Sequence, residues 1–156
     1  MIKRLTLFVI RSLLLFMTVA AVAHADAIRP GDTPVLPVLT TLDGKTINPA
    51  SLRGKVLVIS YFASYCPFCA NEAPKLQKLY SKNTDKLIVI GVNIETKDPQ
   101  QKEKAQQWVR KYQLTHPVTT DFPALERALG KRQGLPVNYV CLLYTSPSPR
   151  DATLSR

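Results

Sequence analysis

Two cysteines two residues apart, Cys66-Pro67-Phe68-Cys69, stand where an unbroken apolar run gives way to a helical pattern. That junction constrains the fold more than any other stretch. Ahead of it, Val56, Leu57, Val58 and Ile59 are apolar at successive positions, and Tyr61, Phe62 and Ala63 carry the character onward. A segment with no wet face reads as a buried parallel strand. Behind the cysteines, Ala73, Leu76, Leu79 and Tyr80 recur at helical spacing, which predicts one apolar stripe against a sheet and leaves Lys75, Gln77, Lys78 and Lys82 mostly in water. A dithiol held where a central strand feeds a helix N-terminus is a redox arrangement.

The chain has 156 residues, room for one domain with its own core, and strand patterns interleaved with helical ones predict a single α/β core. Lys3, Arg4 and Arg11 precede an apolar stretch over residues 12–22, which Ala23-His24-Ala25 ends in a small-x-small sequence. This is the order of a secretory signal, assigned to residues 1–25, with an uncleaved anchor as the alternative. Arg11 limits the uninterrupted apolar run to about ten residues, short of the roughly twenty that a membrane span needs. The mature chain is then expected in the periplasm or another extracytoplasmic space, soluble after cleavage or tethered to the inner membrane.

Placement outside the cytoplasm bears on the three cysteines, Cys66, Cys69 and Cys141, because disulfides persist in oxidising compartments. A structural framework explains the pair poorly, since a two-residue spacing closes a tiny loop. Zinc wants about four ligands, and only His116 could join once His24 leaves with the signal. No metal and no cofactor is expected. The net charge is +10, but the lysines are scattered, without a basic block or an aromatic platform beside them. That argues against nucleic acid and for a solvated face that biases electrostatic encounters.

Along the chain, residues 34–39 contain two prolines and suit an edge strand or an irregular packed segment. Leu42-Asp43-Gly44-Lys45 reads as a hairpin turn, and Asn48-Pro49 as the cap and first residue of a short helical turn through Leu52. Residues 87–94 form a second buried strand, Asp98-Pro99 opens a helix whose inward face is Ala105, Trp108, Val109 and Tyr112, and residues 117–120 form a short strand. A short helix capped by Asp121 follows, then the turn Gly134-Leu135-Pro136 into a strand over residues 137–140. His116 is expected at the surface, where that short strand begins. Thr145-Ser146-Pro147-Ser148-Pro149 is turn-like, so residues 141–156 read as an atypical or non-native tail. Cys141 is left out of the site for that reason.

A sulfur at the helix start meets unpaired N–H groups and the positive end of the macrodipole, so Cys66 is expected to ionise readily and attack, while Cys69, one turn along and more covered, resolves the mixed disulfide. Glu95 follows the second buried strand and belongs on the same rim of a parallel sheet, where it is the expected proton handler for Cys69. A pairing with Lys97 or a helix-capping role is the plainer alternative for it. Pro136 is expected at that rim too, where the Leu135 backbone can pair with an extended partner peptide.

Taken together, VLVISYFASYCPFC over residues 56–69, Glu72-Ala73-Pro74 with Leu76, Gly91-Val92-Asn93-Ile94-Glu95, and residues 134–140 resemble the thioredoxin-like TlpA, ResA and DsbE family of periplasmic thiol-disulfide oxidoreductases. The resemblance covers residues 31–140. It implies a thioredoxin-like domain over residues 26–140 with a central mixed sheet flanked by helices, and Pro74 kinking its first helix. It also implies nucleophile Cys66, resolving Cys69, an acid/base role for Glu95 and a cis Leu135-Pro136 bond. The chain departs from the family in having Tyr65 where a tryptophan is usual, and in lacking a recognisable closing hairpin strand and C-terminal helix. The implied activity is reduction of protein disulfides by dithiol exchange, in cytochrome c maturation or general thiol maintenance, with protein thiols and disulfides as partners and a membrane-bound electron donor. A disulfide-forming oxidase or isomerase, a peroxidase and a redox-inert binding module are the alternatives. The peroxidase reading is weakened by the lack of any Arg or Lys in the Cys66 turn.

Overall fold

The computed structural model describes residues 29, 31, 32 and 34–142. The signal assigned to residues 1–25 therefore lies outside the described residues, as does the tail beyond Leu142. Six strands and three helices follow in order: β1 (Leu39–Thr40), β2 (Thr46–Ile47), β3 (Val56–Phe62), α1 (Pro67–Ser81), β4 (Leu87–Asn93), α2 (Gln101–Lys111), β5 (Val118–Thr119), α3 (Phe122–Leu129) and β6 (Val137–Cys141). A 3-10 turn, Pro49–Leu52, precedes β3, with the Asn48 side chain accepting from the Ala50 N–H as the cap expected of it.

The main sheet is mixed, in the order β5-β4-β3-β6. β3 lies parallel to β4 with Val56 opposite Leu87 and Phe62 opposite Asn93, and β6 returns antiparallel with Val137 opposite Tyr61. This is a thioredoxin-like topology. Six of the seven β3 residues are buried, as a strand covered on both faces requires. Alternation sorts them: Val58, Ser60 and Phe62 face α1 and α2, while Leu57, Ile59 and Tyr61 face α3 and the N-terminal hairpin. On the first side Phe62 stacks on Trp108 at 5.0 Å, and on the second Tyr61 meets Phe122 edge-on at 5.5 Å. Trp108 is thus a core residue, with Ala105 buried beside it.

The β1-β2 hairpin turns at Gly44, whose φ of +81° is the left-handed conformation a glycine adopts without strain. Leu36 and Leu39 are buried from an otherwise irregular lead-in. Side chains stitch this hairpin to the domain: the Asp121 carboxylate accepts from the Thr40 N–H at 2.6 Å, and the Thr119 hydroxyl donates to the Thr40 carbonyl at 2.7 Å.

Four local expectations need correction. Leu79 is 47% exposed, because the stripe that packs is Cys69, Ala73, Leu76 and Tyr80, and Leu79 falls about 80–90° around the helix from its centre. The helix expected from Asp98-Pro99 begins at Gln101, since the Asp98 carboxylate accepts from the Gln100 N–H in a turn ahead of it. Asp121 makes no side-chain cap on α3, its carboxylate being engaged by Thr40. His116 is buried rather than at the surface. Helix α1 runs continuously through Pro74, which lacks the N–H for a bond to Ala70 and sits on an exposed position. β6 extends one residue into the segment assigned to the tail, pairing Cys141 with Leu57. Among the described residues no helix is long and apolar enough to cross a membrane.

Candidate active site

Parallel pairing of β3 and β4 brings their carboxyl ends to one rim, and Cys66 and Glu95 follow within a few residues of it. Cys66 is the N-cap of α1. Its backbone is extended, its carbonyl accepts from the Ala70 N–H at 3.1 Å, and its Sγ accepts from the Cys69 N–H at 3.2 Å. One of the orphan donors of the first turn is therefore aimed at sulfur. Pro67 fills the first helical position, where no N–H is required. Cys66 and Cys69 are joined as a disulfide with Cα atoms 5.3 Å apart.

The pair is more covered than a sequence places an attacking sulfur. Cys66 is 6% exposed and Cys69 2%, so their order is the expected one, whereas their sequence neighbours Tyr65 and Phe68 are 72% and 68% exposed. Two exposed aromatic residues thus adjoin a sheltered disulfide in the sequence.

Glu95 lies on the rim and is half-buried. Its carboxylate accepts from the Ser64 N–H at 2.7 Å, the Ser64 hydroxyl at 2.8 Å and the Asn93 amide at 2.7 Å, and its own N–H donates to Asn93 Oδ1 at 2.9 Å. Neither Lys97 nor a helix end is its partner. These bonds splice the end of β4 to the turn that precedes Cys66. Glu95, Ser64 and Tyr65 open onto a cleft of about 570 Å3, whose far wall includes Phe122 and Arg132.

Cys69 faces a different hollow. A half-enclosed cavity of about 20 Å3 under α1 is walled by Ser60, Cys69, Glu72, Gly91, Trp108 and His116. Glu72 accepts from the Asn138 amide at 2.6 Å, which ties α1 to β6. Burial lowers the pKa of His116 below its ordinary 6.5, against a smaller opposing effect of its contact with the Pro117 carbonyl. Sequence reading passed over Glu72 and His116 as site residues. Glu72 was within reach of it, three residues after Cys69 on a neighbouring face of one helix, whereas His116 comes to the cavity only through strand order.

The Leu135-Pro136 bond is cis, and Pro136 immediately precedes β6. Because Val137 pairs with Tyr61, Pro136 is set at the rim near the end of β3. Cys66, Cys69, Glu95 and Pro136 thus share one edge of the sheet. Among the described residues no group of three or more His, Cys, Asp or Glu side chains is placed to hold a metal ion.

Comparison with known proteins agrees with this geometry. The family profile described as Redoxin matches residues 24–144. The thiol-disulfide oxidoreductase ResA of Halalkalibacterium halodurans is 31% identical over 100 residues, which is 64% of this chain and 54% of that protein, so the chain spans about half its length. A secreted Mycobacterium tuberculosis disulfide oxidoreductase homologous to E. coli DsbE superposes with a TM-score of 0.53 at 26% identity, over 66% of this chain and 81% of that one. A thiol:disulfide interchange protein of the thioredoxin family from Chlorobium tepidum TLS gives a TM-score of 0.53 at 28% identity, over 70% and 79%.

Proposed function

The chain belongs to the Redoxin family, and from that premise we propose that it is a thiol-disulfide oxidoreductase reducing protein disulfides outside the cytoplasm. The observation that carries the reading is the Cys66 sulfur serving as N-cap of α1 while bonded to Cys69. An N–H donor and a helix N-terminus both favour negative charge on that sulfur once the pair is reduced. Cys66 thiolate attacks the client disulfide, one client sulfur leaves, and Cys69 then attacks Cys66 to release the other and restore the internal disulfide.

Pro136 enters as the rim residue beside which an extended client segment lies, and Tyr65 and Phe68 as apolar contacts for it. Glu95 enters as a positioning carboxylate that holds the turn before Cys66. Its bonds to Ser64 and Asn93 support that positioning role, beside the acid/base role toward Cys69 expected of it. Residues 1–25 are the proposed export signal. Protein disulfides, those of cytochrome c assembly among them, are the proposed substrates, and a membrane-bound donor is the proposed source of electrons.

A trapping experiment tests the division of labour. Cys69→Ser is expected to accumulate mixed disulfides through Cys66, and Cys66→Ser to accumulate none. Equal yields from the two variants would reject the assignment. Equilibration with a thiol buffer tests direction: a potential as oxidising as about -120 mV would make the protein a disulfide donor instead.

A further inference from the structure

The cavity under Cys69 holds a base that the exchange reading leaves unused. His116 Nδ1 lies 3.1 Å from the Pro117 carbonyl oxygen. A carbonyl only accepts, so Nδ1 carries the hydrogen and Nε2 is the basic nitrogen of the ring. Several contacts hold the ring where it is. Tyr80 meets it edge-on at 5.9 Å, and Gly91 leaves space that a Cβ would narrow to 3.3 Å from its Cε1. Gln77 of α1 clamps the adjoining residue, donating to the Thr115 hydroxyl at 2.8 Å and accepting from the Thr115 N–H at 2.9 Å. The helix that carries Cys69 is thereby tied to the segment that carries His116.

A cavity of about 20 Å3 admits one water molecule, and such a water needs two to four polar partners. Ser60, Glu72, His116 and Cys69, with the indole of Trp108, are the side chains around it that carry polar atoms. The titratable groups facing His116 are Cys69 and Glu72 across the cavity and Tyr80 at the ring, while β3, β4 and α2 present Ser60, Gly91 and Trp108, none of them ionisable. We infer that His116, acting through one water in this cavity, takes up the proton of Cys69 as Cys69 resolves the mixed disulfide. Because burial lowers its pKa, His116 is uncharged at neutral pH and free to accept.

The step balances. The Cys69 thiol passes its proton through the water to Nε2, and the Cys69–Cys66 sulfur bond forms as the bond from Cys66 to the client sulfur breaks. The client leaves as a thiolate that takes a proton from solvent, and His116 later returns its own proton to solvent. The protein dithiol is oxidised and the client disulfide reduced. This inference rests on the exchange reading above.

Its test is single-turnover reaction of the reduced full-length protein with an aromatic disulfide whose thiolates absorb light, followed from pH 5 to 9. The second thiolate released reports resolution by Cys69. In the wild type its rate is expected to climb through the His116 titration and level off. His116→Phe should be about ten-fold slower or more at pH 7, within the range that general bases contribute, and should keep climbing with pH until Cys69 ionises by itself. A His116→Phe profile that coincides with wild type, with Glu72→Gln alone losing the plateau, would overturn the relay. Where the variant fails to fold, ring NMR of wild-type His116 decides: its titration must differ between the oxidised and reduced protein, and superimposable curves overturn the relay. A reduced wild type that releases no thiolate overturns the exchange reading and the relay with it, whereas release with unaltered variants overturns the relay alone.

Discussion

At Glu95 three donors converge on one carboxylate: the Ser64 N–H, the Ser64 hydroxyl and the Asn93 amide. A glutamine offers one oxygen and one NH2, and an NH2 cannot accept. Glu95→Gln is therefore expected to leave at least one of these donors unpaired in a half-buried place and to lower stability by about 1–2 kcal/mol in urea unfolding; an unchanged midpoint would show that the bonds are idle. His116 gives a pH signature of its own. Its folded pKa is lowered by burial, so between that value and 6.5 the unfolded chain binds the proton better. Stability is then full above pH 6.5 and falls as pH drops through the folded value. The carboxylates held low by their partners act further down: Asp43, at about 2 beside Lys45 and Thr41, and Asp98 beside Lys104. The urea midpoint is expected to drop from pH 7 to pH 5, and His116→Phe to flatten that drop.

Elements differ in how they are fastened. β3 and β4 are joined by a seven-residue ladder, whereas the β1-β2 hairpin is bonded to the rest through an isolated bridge from Thr41 to Thr119 and the side chains of Asp121 and Thr119, with Leu39 packed in the core. Asp121→Ala is expected to speed hydrogen exchange at the Thr40 amide by an order of magnitude or more while Ile59 and Ile90 keep their protection, because local opening follows the weakest attachment. The same contrast explains what could be read in advance. β3, β4, α1 and the inward face of α2 announce themselves through apolar runs and helical periodicity, and the Asn48-Pro49 turn through its cap. The tether at Asp121 spans 81 positions to Thr40, and nothing local marks it. Asp121 looked like a helix cap because a lone aspartate before a proline-containing helix has the same sequence signature either way. His116, likewise, sits before a proline at a strand start, which is a surface pattern until β5 is laid beside β4.

Over the whole molecule the sequence revealed the thioredoxin-like plan and the rim, but not which hollow each rim residue faces. Glu95 and Cys69 share an edge and line separate spaces, Ser60 and Glu72 walling the one with Cys69, Ser64 and Tyr65 the other with Glu95. Without Lys3, Arg4 and Arg11 of the proposed signal the net charge of +10 falls to +7, and Lys75, Lys78 and Lys82 of α1 and its end are among its exposed lysines. Encounter with an acidic protein disulfide is therefore expected to slow several-fold between 10 and 200 mM salt, as screening shortens the reach of the field from about 30 Å to under 10 Å, while reaction with a small neutral disulfide stays level. Stopped-flow rates over that range would separate the two. Tyr65 and Phe68, exposed next to the buried sulfurs in the sequence, are the apolar groups that the proposed exchange would offer a client. On the proposed exchange, a stray soluble thiol would find little to lean on at that doorway, whereas a polypeptide laying an oily segment against both rings would be rewarded before any bond is exchanged, and the choice of customer would precede the chemistry.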